Sequence, residues 1–369
     1  VDVVSVASPR DLDRFIGYAY ERYRNEPHWV PPLRSDEKAR LTPGKNPYFE
    51  HAEAQYFLAV DSGRVVGRIA ATTDRNHDSV HRERQGAFGF FEAESAAATA
   101  ALLGAAESWA RAKGAEVMRG PLSFTTNDEC GLLIEGFDVR PMLLMTYSAR
   151  EYPGWVEAAG LRKAKDLYAF RGPIPEQPQA PFQRIASITR RRERVQVRPI
   201  DMKRFDEELQ RVKTIYNAAW ERNWGFVPMT DHEIDHMAKQ LKPAVVSELV
   251  RFAEVDGRPV GFSLAIPDVN VALSKMGGSL FPFGIFRLLW TLPRIKETRL
   301  LALGVLPEYH KRGVGALLVE EMMRAHRRGG YRICEVGWTL EDNDSVNEII
   351  VASGCTRTAV YRIYEKRLA

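Results

Sequence analysis

The chain has 369 residues, 45% of them apolar and 27% charged, with a formal net charge of +4. That length allows two domains with cores of their own, the composition excludes a disordered chain, and the charge is too small to imply nucleic acid by itself. Cys130, Cys334 and Cys355 are odd in number and far apart, so neither a disulfide framework nor a metal cluster is expected, and a reducing cytoplasm fits them. No basic segment followed by an apolar one opens the sequence, and no uncharged apolar run reaches the roughly 18 residues of a membrane span.

Val1 to Val6 alternates as a strand does, and Ser8-Pro9 opens a helix with Leu12, Phe15, Ile16 and Tyr20 on one side. Pro27 to Pro32 and Asn46-Pro47-Tyr48-Phe49 are rigid turns, either surface braces or the lining of a site. Gln55 to Thr73 reads as a hairpin around Asp61-Ser62-Gly63. Its counterpart stands about 195 residues later, from Phe252 to Gly261; both carry Phe, then Val-Asp, Gly-Arg and Val-Gly. The same offset carries Gly160 onto Gly354. The chain therefore reads as a tandem duplication, each copy running strand, helix, hairpin, strand, helix, strand, helix, strand. The copies span residues 1–172 and 195–369, with a Pro/Arg-rich linker at 173–194. Within it Pro173, Pro175, Pro178 and Pro181 predict an extended connector, and Arg190-Arg191-Arg192-Glu193-Arg194 is either a solvated helix end or a phosphate-reading patch.

In the first copy, strand Gly86 to Phe91 runs into Glu92-Ala93-Glu94-Ser95 and an alanine-rich helix to Lys113. Two carboxylates there suit the helix dipole but repel a phosphate. Gly120 to Gly131 is a long polar loop. In it Asn127, Asp128 and Glu129 either hold an amine, act as base or simply cap turns. In the second copy, strand Val195 to Pro199 leads into a helix with Phe205, Leu209, Val212 and Ile215 on one stripe. Trp220, Trp224, Phe226 and Pro228 follow as a hydrophobic substrate wall or ordinary core. Asp231, His232, Asp235 and His236 have ligand-like spacing but no third partner, so a solvated first helical turn is expected and no metal. Between Ile266 and Arg299, Phe281, Phe283, Phe286, Leu288, Leu289 and Trp290 make the most apolar piece of the chain. It is a core helix, a wall for an acyl chain or greasy amine, or an interfacial segment.

The stretch that carries chemistry is Leu300 to Arg324. It reads as a strand to Leu306, a turn opened by Pro307, a loop from His310 to Gly315, and a helix with Leu317, Leu318, Met322 and Ala325 inward. A helix starting at this loop presents unpaired N–H groups and the positive end of its dipole, where an anion belongs. Gly313 and Gly315 let the backbone approach a phosphate, and Lys311 and Arg312 add charge. A strand from Tyr331 to Trp338 follows, then Glu341-Asp342-Asn343, a helical run of Val346, Ile349 and Ile350, and Gly354 before a last strand with Tyr361, Ile363 and Tyr364.

The order strand, V-x-P, [QR]-x-x-G-x-[GA], helix resembles motif A of the GNAT acyltransferases, with His310 where the family prefers Gln or Arg, and Asn343 to Gly354 keeps the spacing of motif B. The resemblance implies an α/β fold of mixed α+β character: two tandem GNAT domains, each a mixed, mostly antiparallel sheet flanked by helices, the first without its cofactor loop. It implies acetyl-CoA, or an acyl-CoA with a longer chain, as co-substrate. The residues expected to hold it are Leu303, Gly304, Val305, Leu306, His310, Lys311, Arg312, Gly313, Val314, Gly315, Ala316 and Asn343. The N–H of Val305 or Leu306 is the expected oxyanion donor. The family's helix tyrosine, which protonates the leaving thiolate, falls on Ile350; Tyr361 and Tyr364 are substitutes. Candidates for the base are Glu341, Asp342, Asp128 and Glu129.

The function so implied is N-acyl transfer to a small-molecule or lipid amine; the cysteines fit the cytoplasm, the modest charge speaks against nucleic acid, and the apolar insertion leaves peripheral membrane contact open. Tandem GNAT enzymes with one cofactor-competent half form a known class; ceramide-forming bacterial acyltransferases are a looser comparison, suggested only by the apolar insertion. One alternative is an acyl-CoA sensor without turnover, favoured by Ile350. Another, a peptidyl transferase using aminoacyl-tRNA, is opposed by the intact loop and modest charge.

Overall fold

The computed structural model describes residues 1–279 and 284–368. The first half of the chain forms β1 (Asp2–Ser5), α1 (Pro9–Arg22), α2 (Arg34–Arg40), β2 (Ala52–Asp61), β3 (Arg64–Asp74), α3 (Arg75–His81), β4 (Gln85–Ala93), α4 (Ala96–Ala112), β5 (Val117–Gly120), β6 (Leu132–Glu135), α5 (Tyr152–Ala158) and β7 (Arg162–Pro173). Then come α6 (Ala180–Glu193), β8 (Gln196–Pro199), α7 (Phe205–Trp220), α8 (Asp231–Leu241), β9 (Val250–Val255), β10 (Arg258–Pro267), α9 (Asn270–Leu273) and α10 (Gly284–Thr291). The chain ends with β11 (Glu297–Val305), α11 (Val314–Arg328), β12 (Ile333–Leu340), α12 (Asp344–Ala352) and β13 (Thr356–Arg367). Helix starts follow local chemistry: Ser8 caps α1, whose first residue is Pro9, and Ser95 caps α4. A reciprocal Thr230/Glu233 box caps α8.

By its contacts the chain forms two compact units. One comprises Val1–Tyr168 with Ala272–Leu288 and Thr358–Ala369, the other Ala169–Val271 with Leu289–Arg357. Strand order in the first is β1-β2-β3-β4-β5-β13, with β6 also pairing β13. From β1 to β5 the neighbours are antiparallel until the last pair, β4 with β5, which is parallel. The second unit repeats this run as β8-β9-β10-β11-β12, again closing on a parallel pair. The duplication seen in the sequence is thus a duplication of sheet topology.

Each run is covered on both faces, as the alternation of side chains requires. In the first unit α4 lays Ala98, Leu102, Leu103 and Ala106 on Ile69, Ala71 and Phe88, while α1 sets Phe15 and Ile16 on Leu58, Ala70 and Phe90. In the second, Val314, Leu317 and Leu318 of α11 meet Ala253, Val260 and Val305, and Ile215 of α7 meets Phe252, Phe262 and Leu306.

Two features differ from the sequence reading. The prolines of the linker stop being a connector at Ala180: α6 buries Phe182, Ala186 and Thr189, and Arg190 donates to Glu320 and Glu321 of α11. That arginine is a helix-end ion pair. The last strand, from Thr358, clusters with the first unit. There Arg362 donates to Asp166 at 2.8 and 3.0 Å, Lys366 to buried Glu107 at 2.8 and 3.0 Å, and the Tyr364 hydroxyl to Glu157 at 3.2 Å. Phe281 and Phe283 of the apolar insertion lie outside the described residues.

Candidate functional site

The second unit contains a fork in its sheet. Strands β11 and β12 pair from Glu297 with Ile333 as far as Leu300 with Val336, and among the described residues the ladder ends there. Opposite β10, Leu264 pairs with Ala302 but Ala265 with Leu300. Leu301 is therefore the extra residue of a bulge, which bends β11 at the point where the strands part. Beyond the bulge the register fixes where the backbone points. Leu306 donates its N–H to Val260 O at 2.9 Å, so the neighbouring Val305–Gly261 pair is of the kind that exchanges no hydrogen bonds. The same holds for Leu303 opposite Ser263. The N–H and C=O groups of Leu303 and Val305 consequently face the fork. Of the two expected oxyanion donors, Leu306 is already spent on Val260 and Val305 remains. The Val305 carbonyl lies 2.8 Å from His310 Nε2, a hydrogen bond that ties the loop back to the strand.

Gly313 follows that loop at φ 80° and opens α11, and no side chain caps the helix. A Cβ on Gly315 would have nothing within 4 Å, whereas one on Gly313 would lie 2.2 Å from Thr189 Oγ1 of α6. The two glycines therefore serve different ends: Gly313 lets α6 pack, and Gly315 leaves the helix start open. Val314 and Ala316 complete the first turn, Val314 fully buried and Ala316 half-buried. Arg312 approaches Glu193 at 3.4 Å, while Lys311 is exposed. An uncapped helix start beside a strand with outward-facing amides is chemically suited to a diphosphate followed by an amide-bearing chain.

The corresponding place in the first unit is shut. Pairing of β4 with β5 ends at Ala87 and Arg119, but Leu122 then donates its N–H to Phe88 O at 2.7 Å. A Cβ on Gly89 would fall 1.9 Å from Leu122 O, so the returning chain lies directly on β4. Helix α4 is capped by Ser95, Glu94 is held by Arg64 at 2.7 and 2.6 Å, and Glu92 accepts from the hydroxyls of Tyr23 and Tyr152. Backbone, cap and carboxylates each fill a position that an anionic cofactor would need.

Sequence reasoning missed two buried residues at the base of the open fork. Arg299 donates to Gly337 O at 2.9 Å, the first carbonyl beyond the last ladder pair, and its Nε lies 3.7 Å from Glu335. A lone glutamate in the apolar strand Ile333–Leu340 was the available signal. On the α7 side, the Trp220 ring lies where a Cβ on Gly304 would be 2.6 Å away, and it packs on Phe262. Trp220 therefore braces the fork strand. Asn343 stands at the N-cap position of α12 without a capping side-chain hydrogen bond, and the neighbouring Asn347 is fixed by Leu340 O at 3.0 Å and the Thr339 hydroxyl at 2.6 Å. Glu341 sits in the turn between β12 and α12, and Ile350 is buried. The ligand-like carboxylates of α8 pair with Lys213, Asp235 at 2.8 Å and Asp231 at 3.8 Å, and no group of three metal-ligating side chains occurs among the described residues.

The other expected catalytic groups belong to the first unit. Tyr361 is buried on β13 opposite Leu133, and burial holds the Tyr364 phenol well above its ordinary range. Asp128 and Glu129 stand in the polar loop beside Phe124, whose φ is 146° and whose ring stacks on Tyr48 at 4.6 Å. Arg40 donates to Glu129 at 3.1 Å and to Ser123 O at 2.7 Å. Burial raises Asp128 from 3.8 to about 6 against the pull of Arg40. The folded protein thus holds this proton more tightly than the unfolded chain, so stability is lost as pH rises from 3.8 towards 6. In Asp128→Asn that slope should disappear, the variant gaining on the wild type across the window in urea unfolding. Parallel curves would refute it.

Comparison with known proteins follows the same lines. The sequence matches the Acetyltransferase (GNAT) family over residues 209–348. Along its whole length it is similar to a protein named bacterial ceramide synthase from Caulobacter vibrioides, with 38% identity over 380 aligned residues, covering 100% of this chain and 98% of that protein. The chain belongs to the GNAT acetyltransferase family. A second relative is protein YghO of Escherichia coli, 35% identical over 365 residues, covering 97% of this chain and 93% of that one. Among solved structures, the tandem GNAT protein from the clavulanic acid biosynthesis pathway matches with a TM-score of 0.56 and 12% identity, covering 100% of this chain and 98% of that chain. At that identity the likeness speaks for the fold alone, which is the tandem GNAT fold expected. The co-substrate of GNAT enzymes is an acyl-CoA. No helix among the described residues is long and apolar enough to cross a membrane.

Proposed function

We propose that this GNAT protein transfers an acyl group from acyl-CoA to the nitrogen of a lipid amine, and that the second copy holds the co-substrate. The observation that carries the reading is the open fork, with Leu303 and Val305 facing into it beside the uncapped start of α11. Whole-length similarity to a protein named bacterial ceramide synthase supports the lipid acceptor and an acyl chain longer than acetyl.

Acyl-CoA supplies the thioester. On this reading the first turn of α11, with Lys311 and Arg312, takes the diphosphate, and Leu303 pairs with a pantetheine amide. The amine nitrogen attacks the thioester carbon, the Val305 N–H faces the oxygen that becomes negative, and the carbon–sulfur bond breaks to release a thiolate. A carboxylate takes the amine proton; Glu341, in the turn after β12, and Glu335 are the candidates in the second unit. A non-catalytic acyl-CoA sensor is the second reading, favoured by Ile350, a buried aliphatic residue where the family carries its acid.

The test is a mass-spectrometric assay of the purified chain with a long-chain amino alcohol, offered acetyl-CoA and palmitoyl-CoA in turn. An amide formed preferentially from palmitoyl-CoA is expected. Binding of both thioesters without any amide would replace the enzyme by the sensor, and amide formed only from acetyl-CoA would remove the long-chain donor.

A further inference from the structure

Helix α10 is amphipathic in the wrong sense for a buried element. Gly284 and Thr291 are buried and Leu288 half-buried, yet Ile285, Phe286, Leu289 and Trp290 are 47, 68, 62 and 63% exposed. At 100° per residue these four occupy one continuous arc, whereas a surface helix normally turns such an arc towards its core. The core-helix reading of this segment is therefore overturned, and what remains is a face that needs an apolar medium.

We propose that α10 docks this protein on an anionic lipid bilayer, lying in the interface with Phe286, Leu289 and Trp290 among the upper acyl chains. Charge argues for the lipid. Between Asp268 and Glu297 the sequence carries Lys275, Arg287, Arg294 and Lys296 and no carboxylate, and all four cations are exposed. The Arg294 guanidinium lies 4.1 Å over the Trp290 ring, and Arg287 donates to Lys275 O at 2.7 Å, so the cations flank the apolar arc. An apolar arc with Trp and Phe, edged by Lys and Arg, is the pattern of an interfacial helix, and each cation near an anionic surface adds to the attraction. Size argues against the other occupants. Eight residues are far short of the roughly 20 of a membrane span, and four side chains are far short of the roughly 20 to 30 residues a side of a stable protein interface.

The helix is also held in place. The N–H of Arg34 donates to Gly278 O at 3.1 Å, and Gly284 sits where a Cβ would be 2.2 Å from Ser279 O. Only Leu292 to Lys296 separate α10 from β11, the fork strand. Docking goes beyond the proposed reaction, and its failure would leave the acyl-transfer reading intact, because the two are read by different assays.

The experiment is co-sedimentation of the full chain with vesicles of phosphatidylcholine alone, or with a third phosphatidylglycerol, in low and high salt. Binding to the anionic vesicles, weakened by salt, is expected. Phe286→Ser/Trp290→Ser should reduce it by about tenfold or more, and Arg287→Gln/Arg294→Gln should weaken it on anionic vesicles alone, with circular dichroism of both variants unchanged. Tryptophan quenching by bromolipids should fall in Trp290→Phe while binding persists. No sedimentation with either vesicle, equal binding by the apolar double variant, or a dimer in ultracentrifugation that the double variant abolishes would each overturn the proposal.

Discussion

Gly315→Asp is expected to abolish acyl-CoA binding while leaving the protein folded. A side chain at this position meets open space, and an acid in the first turn of a helix agrees with the dipole, so stability should hold or rise slightly. The same carboxylate occupies the approach to the helix start, where the proposed ligand is a diphosphate. Two like charges about 4 Å apart at the surface of a protein repel by about 4 kcal/mol, which is about a thousandfold in affinity. Titration calorimetry with a non-hydrolysable acyl-CoA analogue measures this directly. Gly313, the more conspicuous glycine in the motif, is the wrong residue for such a test, because its Cβ would collide with Thr189 and the loss would report on packing with α6. Unchanged affinity in Gly315→Asp, with an unchanged melting temperature, would remove the diphosphate from α11.

The second large effect is expected at Arg299. Its guanidinium satisfies the first carbonyl past the end of the ladder, Gly337 O, and stands against buried Glu335. In Arg299→Met the carbonyl loses its donor and the carboxylate a buried cation, so the fork should collapse or hydrate. Removing one member of a buried ion pair costs about 3 to 5 kcal/mol, and the loss should show in urea unfolding together with weaker acyl-CoA binding. Arg299→Met/Glu335→Met should recover part of the stability, since a buried pair replaced by apolar groups is often neutral. It should not recover the binding, because Gly337 O remains without its donor. Wild-type stability in the single variant would show that the pair does not hold the fork.

Much of this was legible in the sequence, and the reasons for the rest are physical. The glycine loop and the repeat of Val-Asp, Gly-Arg and Val-Gly are readable because hairpins and strand-to-helix turns constrain local backbone angles. The fork is a matter of pairing. Nothing local to Leu301 announces a bulge, and a ladder that stops at Val336 leaves no mark on composition. The last strand reads correctly as a strand, but its alternation is silent on partners, and so its association with β5 and β6 was not foreseen. Helix α6 was legible and overlooked: Phe182, Ala186 and Thr189 fall on one helical face, and the neighbouring prolines drew the reading towards a connector. With α10 the residues themselves are ambiguous, since one apolar run can serve a core or an interface, and only exposure decides.

Hydrogen–deuterium exchange of the intact protein, with and without palmitoyl-CoA, tests the whole account at once. Protection is predicted for the peptides covering residues 302–316 and 337–343, with no change at residues 88–99 of the first copy. Protection at residues 88–99, or exchange at residues 302–316 indifferent to the thioester, would contradict it.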